Sequence, residues 1–383
     1  MNQPVFFDGL AMEATICAHC GYCRAVCPTY AGVGWESCSP RGRVHLTQWL
    51  LQGTPLTAEQ MTRLYQCTMC GACTTVCPTR IDLREFWLKA RAETVGRDLA
   101  PPGLGAARAN VDNTGNVYGY PNDDRAGWVE YMADAPDDLY QRDTADVVYF
   151  VGCSSSFSPR VQRVAEAFVQ VLGAAETDFT ILGEGEVCCG FPLKVAGQAD
   201  AFQAVMAHNI AQVQAKEAQT LVFTCPACRL MFQEEYAAHL PGIRMLHAVE
   251  LLAELTAADA LPLKPVDCTV TYHDPCDLAR NGGVYEAPRQ ILAAIPGVEL
   301  IEVHERRERG LCCGGGGDLE MVDPGLAQRV AESAAGKLAA TGARSIVTAC
   351  PQCVRTLTRG AEQAAPAVEV LDVVELLARS LDA

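Results

Sequence analysis

Cys312-Cys313-Gly314 has a counterpart 124 positions earlier in the chain, at Cys188-Cys189-Gly190. Each doublet lies between a single upstream cysteine and a downstream Cys-Pro-x-Cys segment. The first set is Cys153, Cys188, Cys189, Cys225 and Cys228; the second set is Cys276, Cys312, Cys313, Cys350 and Cys353. Five thiols per set exceed the four ligands of a tetrahedral ion, so we predict two iron–sulfur sites.

The sequence around these cysteines is one α/β unit that occurs twice, with predicted domains at 145–262 and 263–383. Apolar runs of strand length lead into the cysteines at 147–151, 220–223, 269–272 and 345–348, and helical stretches lie at 160–172, 198–217, 287–294 and 324–340. This alternation predicts short parallel sheets flanked by helices. The cysteines then lie just past the carboxyl ends of strands, where open α/β sheets form their sites.

The N-terminal part, residues 1–99, carries two copies of another cysteine spacing, Cys-x2-Cys-x2-Cys-x3-Cys-Pro. This is the spacing of bacterial two-cluster ferredoxins, in which the last cysteine of each run binds the other cluster. It predicts one [4Fe-4S] cluster on Cys17, Cys20, Cys23 and Cys77, and a second on Cys67, Cys70, Cys73 and Cys27. Two runs of four cysteines fit structural zinc poorly, because zinc takes four ligands in two pairs.

The remainder of this part is predicted to be helical, followed by a linker or wrapping segment at 100–144. One helix covers Arg43 to Leu51, another follows the capping-box residues Thr57 and Gln60, and a third begins at Asp82. Trp128 and Tyr131 are expected to pin the linker, which is rich in Pro, Gly, Asn and Asp, to a neighbouring surface.

The bulk composition of the 383 residues indicates a soluble globular protein, with 49% hydrophobic and 20% charged residues. The net charge of −16 argues against nucleic acid and against binding an anionic membrane by charge. No apolar run approaches 18 residues, and Met1 to Thr15 lacks the features of a secretory signal. With 20 cysteines in such a chain, metal binding is favoured over disulfides, and a cytoplasmic location is expected.

The glycines next to the doublets are expected to let backbone lie against inorganic sulfide. The run 314–317 does not fit a phosphate-binding loop, because no strand leads into it and no Lys-Ser/Thr follows. Without a complete dinucleotide fingerprint elsewhere, no flavin or nicotinamide is expected on this chain. Electrons must then be exchanged with a partner.

These motifs resemble a known family. Residues from about 145 onward are similar to the duplicated cysteine-rich (CCG) domains of heterodisulfide reductase, especially at Tyr272-His273-Asp274-Pro275-Cys276 and 283–289. With the ferredoxin module, the layout resembles the HdrD-type subunits of heterodisulfide reductase and their DsrK-like relatives. The segments 27–30 and 40–43 are more similar to the iron–sulfur subunits of glycolate oxidase and anaerobic glycerol-3-phosphate dehydrogenase.

The resemblance implies that each complete five-cysteine set binds a noncubane [4Fe-4S] cluster, with zinc in one set as the alternative. In the family's catalytic members a disulfide is thought to be cleaved between the two clusters, which makes all ten cysteines candidate catalytic residues. His273, three residues before Cys276, is a candidate proton donor, and a structural histidine at a strand end is the alternative. Cys38 and Cys268 are expected to be structural thiols.

Two functions follow from these motifs and from the resemblance. The first is an oxidoreductase subunit that passes electrons from two cubane clusters to paired noncubane clusters, which reduce or form a disulfide or related sulfur compound. The second is an electron-transfer subunit linking a flavin dehydrogenase or electron-transfer flavoprotein to quinone or a membrane cytochrome b. The expected partners are a flavoprotein or a quinone-reactive membrane subunit, so any contact with the inner face of the membrane would come through a partner.

Overall fold

The computed structural model describes residues 9–132, 135–136, 138–140 and 142–382 of the chain. Residues 1–8, on which part of our expectation about the N-terminus falls, lie outside the described residues. So do positions 133, 134, 137 and 141 of the predicted linker and position 383 of the last predicted domain. Among the described residues, no helix is both long and apolar enough to cross a membrane.

The N-terminal module is helical, as predicted. Its α-helices are α1 (Gly9–Ile16), α2 (Tyr22–Ala25), α3 (Pro28–Val33), α4 (Pro40–Leu51), α5 (Ala58–Tyr65), α6 (Ala72–Thr75) and α7 (Leu83–Gly96), with a 3₁₀ helix at Glu36–Cys38. Helix α4 begins three residues earlier than expected, because Ser39 caps it and Pro40 fits its first position. Thr57 and Gln60 form the predicted capping box of α5, and Asp82 caps α7.

The segment after this module contains helix α8 (Gly103–Thr114) and a 3₁₀ helix at Asn122–Tyr131. Trp128 is buried and packs with Val129 and Leu139 in a hydrophobic cluster, so it pins the segment as predicted. The same prediction for Tyr131 was wrong. Tyr131 is the last residue of the 3₁₀ helix, and it is 87% exposed.

The rest of the chain forms two four-stranded parallel sheets with the same strand order, β2-β1-β3-β4 and β6-β5-β7-β8. The first consists of β1 (Val147–Phe150), β2 (Phe179–Ile181), β3 (Thr220–Phe223) and β4 (Arg244–His247). The second consists of β5 (Cys268–His273), β6 (Val298–Leu300), β7 (Ser345–Thr348) and β8 (Glu369–Asp372). The central strands β1, β3 and β7 are buried along their whole length, as expected for strands covered on both faces.

Helices cover both sheets. In the first repeat these are α9 (Cys153–Phe157), α10 (Pro159–Ala174), α11 (Phe191–Ala196), α12 (Ala199–Ala215), α13 (Pro226–Met231) and α14 (Ala248–Ala257), followed in the second by α15 (Ala287–Ala294), α16 (Leu319–Val322), α17 (Pro324–Ala339), α18 (Pro351–Ala364) and α19 (Val373–Asp382). A π-helix at Phe232–Tyr236 and 3₁₀ turns at Gly183–Gly185, Ala237–His239 and Arg307–Arg309 complete the structure. The predicted helices at 160–172, 198–217, 287–294 and 324–340 are confirmed to within a few residues.

Two hydrophobic cores join the N-terminal module and the two repeats. Alternate residues of β1 face opposite sides, so Val148 and Phe150 pack with Trp87 of α7, while Tyr149 packs in the other core. That second core extends through both repeats, where α10 packs on α19 and α14 packs on α15. The N-terminal module therefore shares its core with the first repeat, and the two repeats share a core with each other.

Candidate iron–sulfur sites

The two N-terminal cysteine runs meet in the way their spacing predicted. Helix α2 contacts α6, so the loops before them lie side by side. Cys77 of the second run lies within electrostatic reach of Cys17, and Cys27 of the first run lies within reach of Cys67 and Cys73. Each predicted set of four thus combines three thiols of one run with the last thiol of the other.

The two sets differ in their exposure to solvent. Cys20 is exposed, and Cys17, Cys23 and Cys77 are half-buried, whereas the members of the other set are all buried. Burial raises the pKa of the Cys73 thiol well above its usual value, so ionising this thiol requires a nearby positive charge. Iron ions would supply that charge, and the all-thiol donor set fits an iron–sulfur cluster.

The two five-cysteine sets lie around one cavity of about 320 Å³. Nine of the ten thiols line it: Cys153, Cys188, Cys189, Cys225, Cys228, Cys276, Cys313, Cys350 and Cys353. The single cysteines and the Cys-Pro-x-Cys segments follow β1, β3, β5 and β7, which confirms that the cysteines lie past the carboxyl ends of strands. The duplication therefore brings both predicted sites to one shared space.

Within each set the thiols make the same contacts. The Sγ atoms of Cys189 and Cys228 are 3.2 Å apart, and those of Cys313 and Cys353 are also 3.2 Å apart. Hydrogen bonds lower the pKa of the second thiol of each doublet. The pKa of Cys189 falls to about 6, chiefly through the bond from Cys188. The pKa of Cys313 is also lowered, chiefly through the bond from Cys353. Among the described residues, no three or more His, Cys, Asp or Glu side chains are placed to hold a single metal ion.

Cys312 is the one thiol of the ten that is not among the residues lining the cavity. It lies beside Cys276 of its own set and beside Cys70 of the N-terminal module, and the neighbouring Cys312 thiol together with burial raises the pKa of Cys70. Arg280 of the second repeat also donates from Nη1 to the carbonyl oxygen of Cys70 at 2.7 Å. The second four-cysteine set is therefore in direct contact with the second five-cysteine set.

The glycine run explains how these two parts approach so closely. Gly317 has a φ of +63°, and a Cβ atom there would lie 2.3 Å from the carbonyl oxygen of Cys67. Gly315, Gly316 and Gly317 line the cavity, and the expectation that the glycines next to the doublets lie against sulfide stays a prediction. Gly314 has a φ of +86°, and a Cβ atom there would lie 2.6 Å from the carbonyl oxygen of Ala327 in α17.

Arg91 connects the N-terminal module with both repeats, and no sequence motif singles it out. Its guanidinium is buried and donates to the carbonyl oxygens of Tyr65 and Cys67 at 3.2 and 3.1 Å. It also donates to Val195 of the first repeat at 2.8 Å and to Gly317 of the second at 3.1 Å. Apolar residues recur at helical spacing in α7, and nothing in that pattern indicates that one of its arginines is buried.

Two further polar residues of the cavity, Asp318 and Arg355, were not recognised from the sequence. Asp318 is 8% exposed, its Oδ2 atom has no hydrogen-bond partner among the described residues, and burial raises its pKa to about 7. Arg355 pairs with Glu320, a carboxylate that Arg359 also contacts. Arg355 and Glu320 both line the cavity, so this ion pair forms part of its wall.

His273 is buried, and it is not among the residues that line the cavity. Its Nδ1 atom is 3.0 Å from Oγ1 of Thr348, and its Nε2 atom is 3.1 Å from the carbonyl oxygen of Leu311. Burial lowers its pKa to about 4, so the ring is neutral near pH 7. These contacts are the ones expected of a structural histidine at a strand end. The role of His273 as a proton donor stays a prediction, and no contact among the described residues supports it.

The two unpatterned cysteines lie outside the cavity. Cys38 is fully buried and, although the sequence offered no partner, its Sγ atom donates to Oε1 of Gln66 and accepts from Nη1 of Arg63, each at 3.2 Å. Cys268 is half-buried at the start of β5.

Comparison with known proteins agrees with this layout. Residues 147–233 and 270–358 match the cysteine-rich domain family CCG, and residues 13–81 match the 4Fe-4S dicluster domain family. The fold is also similar to the crystal structure of a hypothetical protein from Helicobacter pylori, with a TM-score of 0.59 and 9% sequence identity. The superposition covers 90% of this chain and 68% of that protein, and at this identity it supports the fold alone.

Sequence relatives cover almost the whole chain. The D subunit of dihydromethanophenazine:CoB--CoM heterodisulfide reductase from Methanosarcina barkeri is 33% identical over 97% of this chain and 94% of its own. The probable iron-sulfur-binding oxidoreductase FadF of Bacillus subtilis is 32% identical, and EtfAB:quinone oxidoreductase of Syntrophomonas wolfei is 31% identical, each over 72% of this chain and 40% of its own. The chain therefore belongs to the HdrD-like family of iron–sulfur proteins related to heterodisulfide reductase, with a ferredoxin module and duplicated CCG domains.

Proposed function

We propose that this protein is the iron–sulfur subunit of an oxidoreductase that reduces, or forms, a disulfide or related small sulfur compound. The single observation that carries the proposal is the cavity of about 320 Å³ with thiols of both five-cysteine sets in its wall. Both sets are complete, and the cavity is the space in which their clusters and a small substrate would lie. The names of the relatives, which include reductase and oxidoreductase subunits, support the broader part of this proposal.

The electron route follows from which thiols are in contact. The exposed set on Cys17, Cys20, Cys23 and Cys77 would exchange electrons with a partner, and the buried set on Cys67, Cys70, Cys73 and Cys27 would pass them inward. Cys70 then meets Cys312, so the second five-cysteine set is reached first. Cys225 lies within electrostatic reach of Cys350, which links the two five-cysteine sets.

Reduction of a disulfide takes up two electrons and two protons and yields two thiols. Iron–sulfur groups on the two five-cysteine sets would supply the electrons and open iron positions for sulfur; noncubane clusters are the form that we propose there. The chain itself supplies the remaining functions. The mostly apolar wall limits water, the ion pair of Arg355 with Glu320 forms part of that wall, and Asp318 holds a proton near neutral pH.

The partner is expected to bind over the exposed cluster. Large apolar side chains are unusually exposed around it, including Tyr22 at 64% and Trp35 at 67%. Such a patch beside Cys20 suits a protein that brings its own redox group close. A flavoprotein or a membrane cytochrome b subunit would meet this need. One relative, from Chromohalobacter salexigens, is named a probable membrane-anchored ferredoxin, which supports a peripheral membrane location through such an attachment.

Metal analysis of protein purified without oxygen tests the proposal first. Four four-iron clusters give about 16 irons per chain and no zinc. About 12 irons with one zinc would show that one five-cysteine set is structural, and the disulfide chemistry would then fail. The second arm is turnover of small disulfides with a reduced viologen dye as donor, with release of two thiols per two electrons as the required stoichiometry.

An electron-transfer subunit between a flavoprotein and quinone is the second candidate. The similarity to EtfAB:quinone oxidoreductase favours it, although that relative is more than twice as long as the matched part. The two functions separate in one assay series. Reduction by an electron-transfer flavoprotein, without any thiol release from disulfides and with quinone reduction in membranes, would favour the second function over the first.

A further inference from the structure

The first five-cysteine site has a buried cation beside it. Arg125 lies in the 3₁₀ helix Asn122–Tyr131, and its side chain is 2% exposed. Its Nη2 atom lies 3.7 Å from Sγ of Cys153, within the range of a weak hydrogen bond to sulfur. Its Nη1 atom donates to Oε1 of Glu186 at 2.8 Å, and its Nε atom donates to Oδ1 of Asn122 at 3.0 Å. A positive charge is thus fixed next to one thiol of the site.

The surroundings hold this charge in place. Glu186 also accepts from the backbone N–H groups of Val151 and Gly152, both at 2.8 Å, directly before Cys153. The ring of Phe157 covers the guanidinium of Arg125 at 5.1 Å. Because both members of the pair are buried and bonded on several sides, the guanidinium cannot turn towards solvent.

The second site has a different environment. Its buried arginine, Arg289, is bonded to two carboxylates, those of Asp274 and Glu302. The charges within reach of the Cys276 thiol are instead those of Asp277 and of the thiols Cys70 and Cys313. Asp277 also lies within reach of Cys225 of the first site. The two sites therefore differ in one respect: Arg125 places a buried guanidinium against a thiol of the first site, whereas the hydrogen bonds of Arg289 go to carboxylates and to the carbonyl oxygen of Tyr285.

Positive charge and hydrogen bonds to ligand sulfur stabilise the reduced, more negative form of an iron–sulfur group. We infer that Arg125 is a positioning residue that sets the reduction potential of the first site above that of the second. In the step concerned, one electron leaves the second-site group, which is oxidised, and reaches the first-site group, which is reduced. This inference rests on the proposed function, since it requires iron–sulfur groups on both sets.

Anaerobic redox titration followed by electron paramagnetic resonance tests the inference. The first-site signal is identified as the one lost in Cys189→Ala. Arg125→Gln should lower the potential of this signal and shift the electron equilibrium between the two sites at least tenfold towards the second, ~59 mV for a one-electron couple. Glu186→Gln should raise the same potential, because it removes the negative charge that offsets Arg125.

The two variants should shift the first-site potential in opposite directions. A merely structural role of the ion pair would instead shift the potential in the same direction in both variants. Arg289→Gln is the matched control: it also removes a buried arginine, and it should leave the first-site potential unchanged. Unshifted potentials, or shifts of the same sign in Arg125→Gln and Glu186→Gln, would overturn the inference while the proposed function stands. Absence of iron from the first site of the unchanged protein would overturn both.

Discussion

The thiols of Cys70 and Cys312 lie close enough for each to shift the pKa of the other, although they belong to different cysteine motifs at opposite ends of the sequence. Adjacent residues of one doublet thereby have different neighbours. Cys312 lies beside Cys70 of the N-terminal module, whereas Cys313 lines the cavity. The doublet therefore lies between the ferredoxin-type cysteines, which are predicted to supply electrons, and the cavity, where the disulfide chemistry is proposed.

Cys189→Ala and Cys313→Ala should each remove one five-cysteine cluster and leave the two ferredoxin-type clusters intact. Each change deletes a buried thiol of a complete set. Iron content should fall from about 16 to about 12 per chain, with the cubane signals in electron paramagnetic resonance unchanged. Cys268→Ala is the control, because this half-buried thiol belongs to no set. Unchanged iron in either of the first two variants would contradict the ligand assignment.

Gly317→Ala should separate the N-terminal module from the second repeat. The new Cβ atom would lie 2.3 Å from the carbonyl oxygen of Cys67, in a backbone conformation with φ of +63° that costs an alanine roughly 1 kcal/mol or more. The expected result is a slower passage of electrons from the cubane clusters to the cavity, measured by stopped-flow reduction with a viologen dye.

The matched control is Gly105→Ala in α8, where a Cβ atom would meet no heavy atom within 4 Å. That change should leave the electron-transfer rate unchanged and stabilise the helix slightly. Equal rates in the two variants would show that the contact between Gly317 and Cys67 does not limit the route.

The sequence was sufficient to predict the architecture, because the signals that define it are local. Apolar runs such as 147–151 end two residues before a cysteine, and runs that lead into a cysteine occur in both halves. The sheet order then brought the predicted thiols to one edge. That Cys27 lies near Cys67 was predictable for the same reason, since it follows from the spacing of the two runs.

The contacts between the parts were not predictable in this way. The role of Arg91 depends on four carbonyl groups from three parts of the chain, and that of Arg125 on a carboxylate 61 positions away. An arginine in a helix is usually solvated, so nothing in the local sequence marks these two as buried. The glycine run 314–317 was a visible signal, since the first repeat lacks it, but its meaning depended on which module packs there.

Arg91→Met should destabilise the whole chain. It removes one donor from each of four buried carbonyl oxygens. The carbonyl oxygen of Tyr65 still accepts from the N–H of Cys67, and each buried polar group left unpaired costs about 1–3 kcal/mol. We expect a loss of at least about 3 kcal/mol, measured as a lower thermal midpoint in anaerobic calorimetry. Arg108→Ala, which removes a partly exposed arginine paired with Asp112 and Asp200, should cost less than about 1 kcal/mol. Similar losses in the two variants would contradict the role of Arg91.

Asp318→Asn should change the pH dependence of disulfide reduction. Burial raises the pKa of Asp318 to about 7, although the charge of Arg91 opposes that rise, and Tyr65 is the other ionisable group facing it. The protonated carboxyl group is the form that can donate to a departing thiolate. Activity of the unchanged protein should therefore fall as pH rises through about 7, and the Asn variant should lack that fall in a profile of kcat/KM against pH.

Stability gives a second measurement with a defined sign. The folded-state pKa of Asp318 lies above the ordinary value of about 3.9, so the folded chain binds more protons than the unfolded chain between about pH 4 and pH 7. The unchanged protein should then lose stability relative to Asp318→Asn as pH rises through this range. The difference is on the order of 4 kcal/mol at most, because one pKa unit corresponds to about 1.4 kcal/mol. Parallel thermal midpoints for the two proteins from pH 4 to pH 7 would rule out the raised pKa, and with it the proton held by Asp318.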